Sequence, residues 1–493
     1  MAPNTPPGRP GTLTPEQEIK LREFWAVTLK VFGVVESTGA GANGAETPAV
    51  ATPAPSETSE KEGKKDKEKK KSRLNVFKRN KGEKGGEAES TSASGASTPT
   101  ADVGSLSIAD EDDKHGQVKE AKLALANTSP EDLRTAFWAM LKHDHPDALL
   151  LRFLRARKWD VEKALVMMIS TMHWRLELMH VDDDIMKNGE EAALKDSKSD
   201  DPKVKKEGED FLAQLRMGKS FLHGLDNEGR PLCVARARMH RAGEQSEASL
   251  ERFTVYTIET ARMLLRPPID TATIVFDMTD FSMANMDYTP VKFMIKCFEA
   301  NYPESLGNVL VYKAPWIFNA IWNIIRGWLD PVVAGKVHFA KNVEELEKFI
   351  PKSQIIAELG GDDKWTYEYV EPKEGENAKM AETGAKETLQ GERSELVKKY
   401  EESVTQWVKD TEQTKSMDDK RKERDAIAEE LRLNYWKLDP YVRAKSLYDR
   451  TGVLGESGQL NFYPTKEAAA AVPQKENVAP AKSTQETSAD DID

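Results

Sequence analysis

The sequence predicts an α/β fold, a mixed or parallel sheet covered by helices, preceded by a small all-α domain. Three observations lead there. Short apolar runs alternate with helical periods between residues 219 and 349, as strands joined by crossover helices do. Upstream of them, capped segments with a 3.6-residue apolar period follow one another with no strand pattern between. Long stretches of the 493-residue chain are too poor in apolar residues to fold, so length alone overstates the number of domains.

The first element is a helix within 13–36. Thr14 can cap it, Pro15 suits its first turn, and Gln17 completes a capping box. Leu21, Phe24, Trp25, Thr28, Leu29 and Phe32 then share one face. Alone in water such a helix is marginal, so it must dock on something beyond the segment that follows. That segment, 37–128, contains one aromatic residue, Phe77, where an average share would give about seven. It is rich in Gly, Ser, Thr, Ala, Pro, Lys and Glu and reads as a disordered insertion. Its tract 61–84 holds ten Lys and two Arg against four acids, a net of +8 in a chain whose net charge is −12. A solvated linker is the ordinary reading of such a run. The sharper one is a tether for anionic lipid, worth about 1 kcal/mol per cation. Phe77 is the single aromatic of the tract, too few for base stacking along it, so nucleic acid is not an expected partner.

Ser129 and Pro130 open the next helix, with Leu133, Phe137, Trp138 and Leu141 as its stripe. Further helices are predicted over 146–158 and 161–178. These three lie in a domain placed at 129–200, which the first helix completes.

From residue 219 the period changes. Runs at 220–223 and 231–235 flank Asp226-Asn227-Glu228-Gly229-Arg230, a strand–turn–strand pattern. Helix 246–266, strand 272–277, helix 289–301, strand 308–312, helix 315–329, strand 336–340 and helix 342–349 follow, in a domain placed at 211–371. After a Lys/Glu/Gly linker come two long charged helices, 392–412 and 418–438, within an extension 391–451. Leu396, Tyr400, Val404, Trp407 and Val408 give the first an apolar stripe, and Tyr435, Trp436, Tyr441 and Tyr448 cluster after it. The tail 466–493 reads as disordered.

Two cysteines, Cys233 and Cys297, exclude a disulfide framework and a Cys-rich zinc module, and point to a reducing compartment. No run of 18 apolar residues occurs, and the N-terminus has neither a basic n-region nor an apolar h-region. A cytoplasmic monomer is expected. Catalytic motifs are missing: there is no His-Glu-x-x-His and no Gly-x-Ser-x-Gly. Met217-Gly218-Lys219-Ser220 ends like a phosphate-binding loop, but Ala213 stands where the opening glycine belongs, and a strand follows instead of a helix. No enzyme activity, metal or cofactor is expected.

The informative segment runs from Ala314 to Leu329. Asn319, Asn323 and Arg326 form one narrow polar stripe, and the rest is apolar: Trp316, Ile317, Ile321, Trp322, Ile324, Ile325, Trp328 and Leu329 among others. Trp316, Trp322 and Trp328 are six residues apart, a step of about 240°, so they point three ways. One reading is a helix buried between the sheet and a neighbouring domain. The other is a lid, one face lining an apolar cavity and another meeting a membrane interface, where Trp is favoured.

Several motifs carry a family resemblance. Leu150-Leu151-Arg152-Phe153-Leu154-Arg155-Ala156-Arg157-Lys158-Trp159-Asp160 resembles the signature helix of the CRAL-TRIO lipid-transfer family, and Asp226-x-x-Gly229-Arg230-Pro231 its first hairpin. Tyr302-Pro303-Glu304-Ser305-Leu306, the run 308–315, Leu329-Asp330-Pro331 and Leu359-Gly360-Gly361 follow in the family's order. The insertion and charged extension are most similar to a fungal phosphatidylinositol-transfer branch. The resemblance implies a carrier of one phospholipid as cargo, its acyl chains under a gate helix at 315–329, associating transiently and peripherally with intracellular membranes. It implies headgroup contacts from Arg157, Lys158, Glu304 and Lys336, for phosphatidylinositol or a related lipid. Two departures stand out. Val333 replaces the family's threonine before that lysine, and of the paired hydroxyls of a phosphatidylcholine-type site only Ser282 is kept, with Ala284 as the other. An uncharged sterol or isoprenoid as cargo, and an adaptor recruiting a protein partner through the C-terminal helices, are the alternatives.

Overall fold

The computed structural model describes residues 5–35, 113–410 and 416–464. Most of the low-complexity insertion, with its basic tract, and the tail from 466 lie outside the described residues.

Helix α1 (Pro15–Val31) starts as its sequence requires, with Thr14 and Gln17 exchanging both capping-box bonds. Leu21, Phe24, Trp25 and Leu29 are buried against α3 (Pro130–Leu141), α4 (Pro146–Ala156) and α5 (Val161–His173), each of which opens on a side-chain cap. One boundary needs correcting. The composition extends the insertion through residue 128, yet Gln117–Asn127 is a helix, α2, with Ala121 and Ala124 fully buried beside α5. It packs by small side chains, so neither aromatics nor a large apolar stripe announce it. Two further helices, α6 (Met186–Asp196) and α7 (Pro202–Arg216), lead to the sheet.

The described sheet has five strands in the order β1 (Ser220–Leu225), β2 (Pro231–Arg236), β3 (Ala272–Asp277), β4 (Leu306–Tyr312) and β5 (Val337–Ala340). β1 is antiparallel to β2, and the remaining pairs are parallel, so the sheet is mixed. The hairpin turn is fixed by Asp226, whose Oδ1 accepts from the backbone N–H of Glu228 and of Arg230, each at 2.9 Å. Gly229 supplies the positive φ of +79° that closes it.

Alternation sorts the strand residues into two faces. Phe221, Val234, Val275, Leu310 and Tyr312 pack on one side against Leu346, Ile355, Ile356 and Leu359, which follow α12 (Val343–Leu346) or belong to it. Gly361 has to be glycine there, because a Cβ would sit 1.9 Å from the Ile355 carbonyl oxygen. The other face carries Ala235, Ile274, Phe276, Val309 and Val311. Over it lie α8 (Glu247–Met263), α9 (Tyr288–Lys296) and α10 (Phe318–Arg326), followed by the short α11 (Pro331–Ala334).

The C-terminal extension is built into this architecture. Helices α13 (Thr383–Lys409) and α14 (Ser416–Val442) pair with each other, and the apolar stripe of α13 is spent within the chain. Tyr400 lies 5.7 Å from the Trp25 ring and 6.0 Å from Trp138. After the short α15 (Leu447–Arg450), Phe462 joins Leu222 and Cys233 in one apolar cluster. Tyr448 Oη accepts from Leu222 N at 2.7 Å, capping an N–H on the sheet-edge strand.

Candidate functional site

A cavity of about 260 Å³ lies between the second sheet face and helices α8, α9 and α10. Most of its wall is apolar: Ile274, Phe276, Val309 and Val311 from the sheet, Phe253 from α8, Met294 from α9, Phe298 just after α9, and Phe318, Trp322 and Ile325 from α10. A second space of about 100 Å³ shares Ile274, Phe276, Phe298 and Leu306 with it and reaches Cys233 and Ala272. Burial pushes the Cys233 thiol up to about 12, so it lines the wall as a neutral group.

Helix α10 and the turns flanking it separate the directions that the Trp spacing implies. Phe318 and Ile321 are buried, Trp322, Ile325 and Leu329 line the cavity, and Trp316 and Ile324 are 84% and 46% exposed. Trp328 instead lies against Tyr288, ring centroids 5.3 Å apart, with the Lys292 ammonium 4.8 Å from its centre. Regular helix covers Phe318–Arg326, shorter than the predicted 315–329, and turns at Pro315 and after Ile325 complete the segment. Val332 and Phe339 continue the exposed apolar surface beside it.

At the rim, near the N-terminal ends of β4 and β5, Glu304 and Lys336 meet with oxygen and nitrogen 3.9 Å apart. Lys336 Nζ also donates to the Leu306 carbonyl at 2.9 Å, and its neighbours Val333 and Val337 line the cavity. Glu304 holds a φ of +53°, unusual for a residue with a Cβ. Two anchors keep it there. Arg152 of α4 donates to the Glu304 carbonyl at 2.9 Å and to the Asp270 carbonyl at 2.6 Å. Tyr302 donates to Glu259 at 2.8 Å, and that fully buried carboxylate also accepts from Arg175 at 2.7 Å. Burial by itself would raise the Glu259 carboxyl, but Arg175, Arg262 and Lys142 outweigh it and hold the group well below the carboxylate range.

The other expected headgroup residues distribute unevenly. Arg157 reaches Gln117 of α2, which in turn donates to the Ala300 carbonyl at 2.9 Å, while Lys158 is exposed at the same helix end. Ser282 is exposed and bonds Asn285 at 2.9 Å as the cap of a short turn beyond the C-terminal end of β3. The sheet register therefore puts Ser282 past one end of the parallel strands and the Glu304–Lys336 pair at the other.

Residues that single-residue reasoning missed also crowd the rim. Arg9 and Arg155 both bond Asp270 at 3.1 Å. Burial, with Arg9 beside it, draws the Arg155 guanidinium down to about 10. Arg155 stood in the signature helix, but nothing local indicated that Asp270, over a hundred residues on, was its partner.

Comparison with known proteins agrees with this architecture. The model of the CRAL/TRIO domain matches residues 215–361, and that of the CRAL/TRIO N-terminal domain matches 116–170, beginning at α2. The chain is 40% identical over 447 residues to the CRAL-TRIO domain-containing protein C3H8.02 of Schizosaccharomyces pombe, covering 91% of this chain and 92% of that one. It is 38% identical over 460 residues to the phosphatidylinositol transfer protein CSR1 of Eremothecium gossypii, covering 92% and 100%. Similarity to the phosphatidylinositol/phosphatidylcholine transfer protein SFH9 of Arabidopsis thaliana is 28% over 236 residues, 44% of this chain and 38% of that one. Among the described residues no helix is long and apolar enough to cross a membrane. With both family domains in order along this fold and relatives that match nearly end to end, the chain belongs to the CRAL-TRIO lipid-transfer family.

Proposed function

We propose that this protein extracts one phospholipid, phosphatidylinositol, from an intracellular membrane and carries it as a cytoplasmic monomer to another. The observation that carries the reading is the two-sided segment around helix α10, which closes an apolar cavity with Phe318, Trp322 and Ile325 and turns Ile324, and Trp316 just before the helix, outward. A two-chain lipid has on the order of 30 methylenes, and exposing them to water would cost about 20 kcal/mol. Exchanging bilayer for cavity avoids that exposure, provided that the gate opens only at a membrane. The outward Trp and Ile are the residue types that insert into an interface.

Lys336 at the rim meets the phosphodiester, and Glu304, its partner in the empty site, bonds inositol hydroxyls. Arg157 and Lys158 add positive charge at the end of α4, the second headgroup contact. The name of the Eremothecium relative supports phosphatidylinositol as cargo. Phosphatidylcholine exchange is not expected, because the Ser282 hydroxyl is engaged by Asn285 and its companion position is Ala284. An adaptor role through the C-terminal helices has less support, since the stripe Val397, Tyr400, Val404 and Trp407 is buried within the chain. Native mass spectrometry of the purified full chain tests the cargo. A bound mass matching phosphatidylinositol is expected, and a sterol or isoprenoid mass would replace the headgroup assignment.

A further inference from the structure

The cavity has a second polar end, beside the Ser282–Asn285 turn, that the phosphatidylinositol headgroup assignment leaves unused. Gln214, Lys219, His240, Asn285 and Asp287 line it where the parallel strands finish. Lys219 immediately precedes β1, whose first residue pairs with Ala235, so it lies level with Arg236 and Asp277. Glu304 and Lys336 lie by Ala272 and Leu306, at the opposite end of β3 and roughly 16 Å away along the strand.

Lys219 is only 8% exposed, and its ammonium donates to two amide oxygens, Gln214 Oε1 at 3.3 Å and Gln245 Oε1 at 3.1 Å. Both glutamines are buried. Among the described residues no carboxylate stands within 4 Å of this ammonium. Asp287 is engaged elsewhere, by His240 Nε2 at 3.3 Å and by the N–H of Thr289 at the start of α9. Amide oxygens satisfy the hydrogen bonds of an ammonium but not its charge, and burial draws Lys219 down to about 8, opposed by Glu244 and Asp287. What the Lys219 ammonium lacks is an anion in contact with it, since Asp287 is held by His240 and Thr289. A cation at the end of an apolar cavity also repels a quaternary ammonium head.

We propose that this end of the cavity binds the acidic head of an anionic amphiphile, a carboxylate or a phosphomonoester, at Lys219, with the apolar chain running along the sheet toward α10. The proposal rests on the carrier reading above and adds a second cargo class with its own head position. The head would form a charge-assisted hydrogen bond where little water competes, and a neutral head on the same chain would gain none of it.

The test is binding of oleate, 1-oleoyl lysophosphatidate and oleyl alcohol to the purified full chain by isothermal titration, in the wild type and in Lys219→Met. At least one acid should bind the wild type ten-fold or more tightly than the alcohol, and which acid does so identifies the head. Lys219→Met should erase that preference, with alcohol affinity and phosphatidylinositol transfer each kept within two-fold. Equal acid-to-alcohol ratios in the two proteins, with phosphatidylinositol still transferred, would overturn this proposal and leave the carrier reading intact. If no amphiphile binds and no phosphatidylinositol moves, the carrier reading itself fails and takes the proposal with it. Should Lys219→Met not fold, the wild-type ratio decides alone, and a value near one overturns the proposal.

Discussion

Lys336 and His143 show how differently two polar side chains can matter. Lys336 is half-buried at the rim, and its ion pair with Glu304 is long at 3.9 Å, so in the empty protein the pair adds little stability. Lys336→Ala should therefore leave the melting temperature nearly unchanged while cutting phosphatidylinositol transfer by about five-fold or more, because an unmatched phosphodiester in the site costs about 1–3 kcal/mol. A large drop in melting temperature with transfer preserved would make Lys336 a structural residue. His143 is the reverse case. It is buried between the carbonyl of Arg262 at 3.2 Å and the Trp436 ring, 4.8 Å away, and takes no part in the site. Burial lowers its imidazole to about 4, with Arg266 and Arg262 reinforcing the shift and Asp144 opposing it. The unfolded chain binds that proton near pH 6.5, so the native state loses stability as the pH falls from about 6.5 toward 4, by about 3 kcal/mol at most. Chemical denaturation at several pH values should show this slope, and His143→Gln should flatten it. Equal slopes in the two proteins would refute the assignment.

At the scale of elements, the proposed gate is the segment 315–329 built around α10, and its faces can be tested separately. Trp316→Asp should retain bound lipid but slow exchange between vesicles several-fold, since the side chain is exposed and touches no cavity wall. Trp322→Ala should do the opposite and lower lipid occupancy, because it removes part of the wall and leaves a void. If both variants change occupancy alike, α10 is an ordinary buried helix. The sequence indicated such a two-sided helix but could not say which Trp faced where. The capped helices and the β1–β2 hairpin were also legible, because Thr14, Ser129, Asn342 and Asp226 make their bonds within a few residues of themselves. Helix α2 was not, since Ala121 and Ala124 pack without any apolar stripe, and α7 hid its Phe211, Leu212 and Leu215 behind a lysine- and glutamate-rich start. The Glu304–Lys336 pair was accessible only through the family pattern. Its anchors, Arg152 and the Asp270 region, are joined over more than a hundred residues and leave no local trace.

Across the molecule, the C-terminal extension completes the helical domain. Asp147 at the start of α4 accepts from Trp25 Nε1 at 2.7 Å and Tyr400 Oη at 2.8 Å, and Arg424 of α14 approaches it at 3.4 Å. Arg424 also lies 3.8 Å over the Trp407 ring. One buried carboxylate thus ties the first helix, the signature helix and the extension together. Arg424→Met should destabilise the protein by about 3–5 kcal/mol, because it strands that carboxylate, and Asp147→Asn in the same chain should restore part of the loss. Denaturant unfolding of the two variants measures it, and an Arg424→Met protein as stable as the wild type would show the extension to be dispensable. A chain held together in this way can protect a lipid in water only if the cavity stays shut between membranes. The most direct test of the central claim is transfer of radiolabelled phosphatidylinositol from donor to acceptor vesicles by the purified full chain. Transfer that rises with protein concentration and is reduced in Lys336→Ala is the predicted result, whereas no transfer above the protein-free rate would contradict the account.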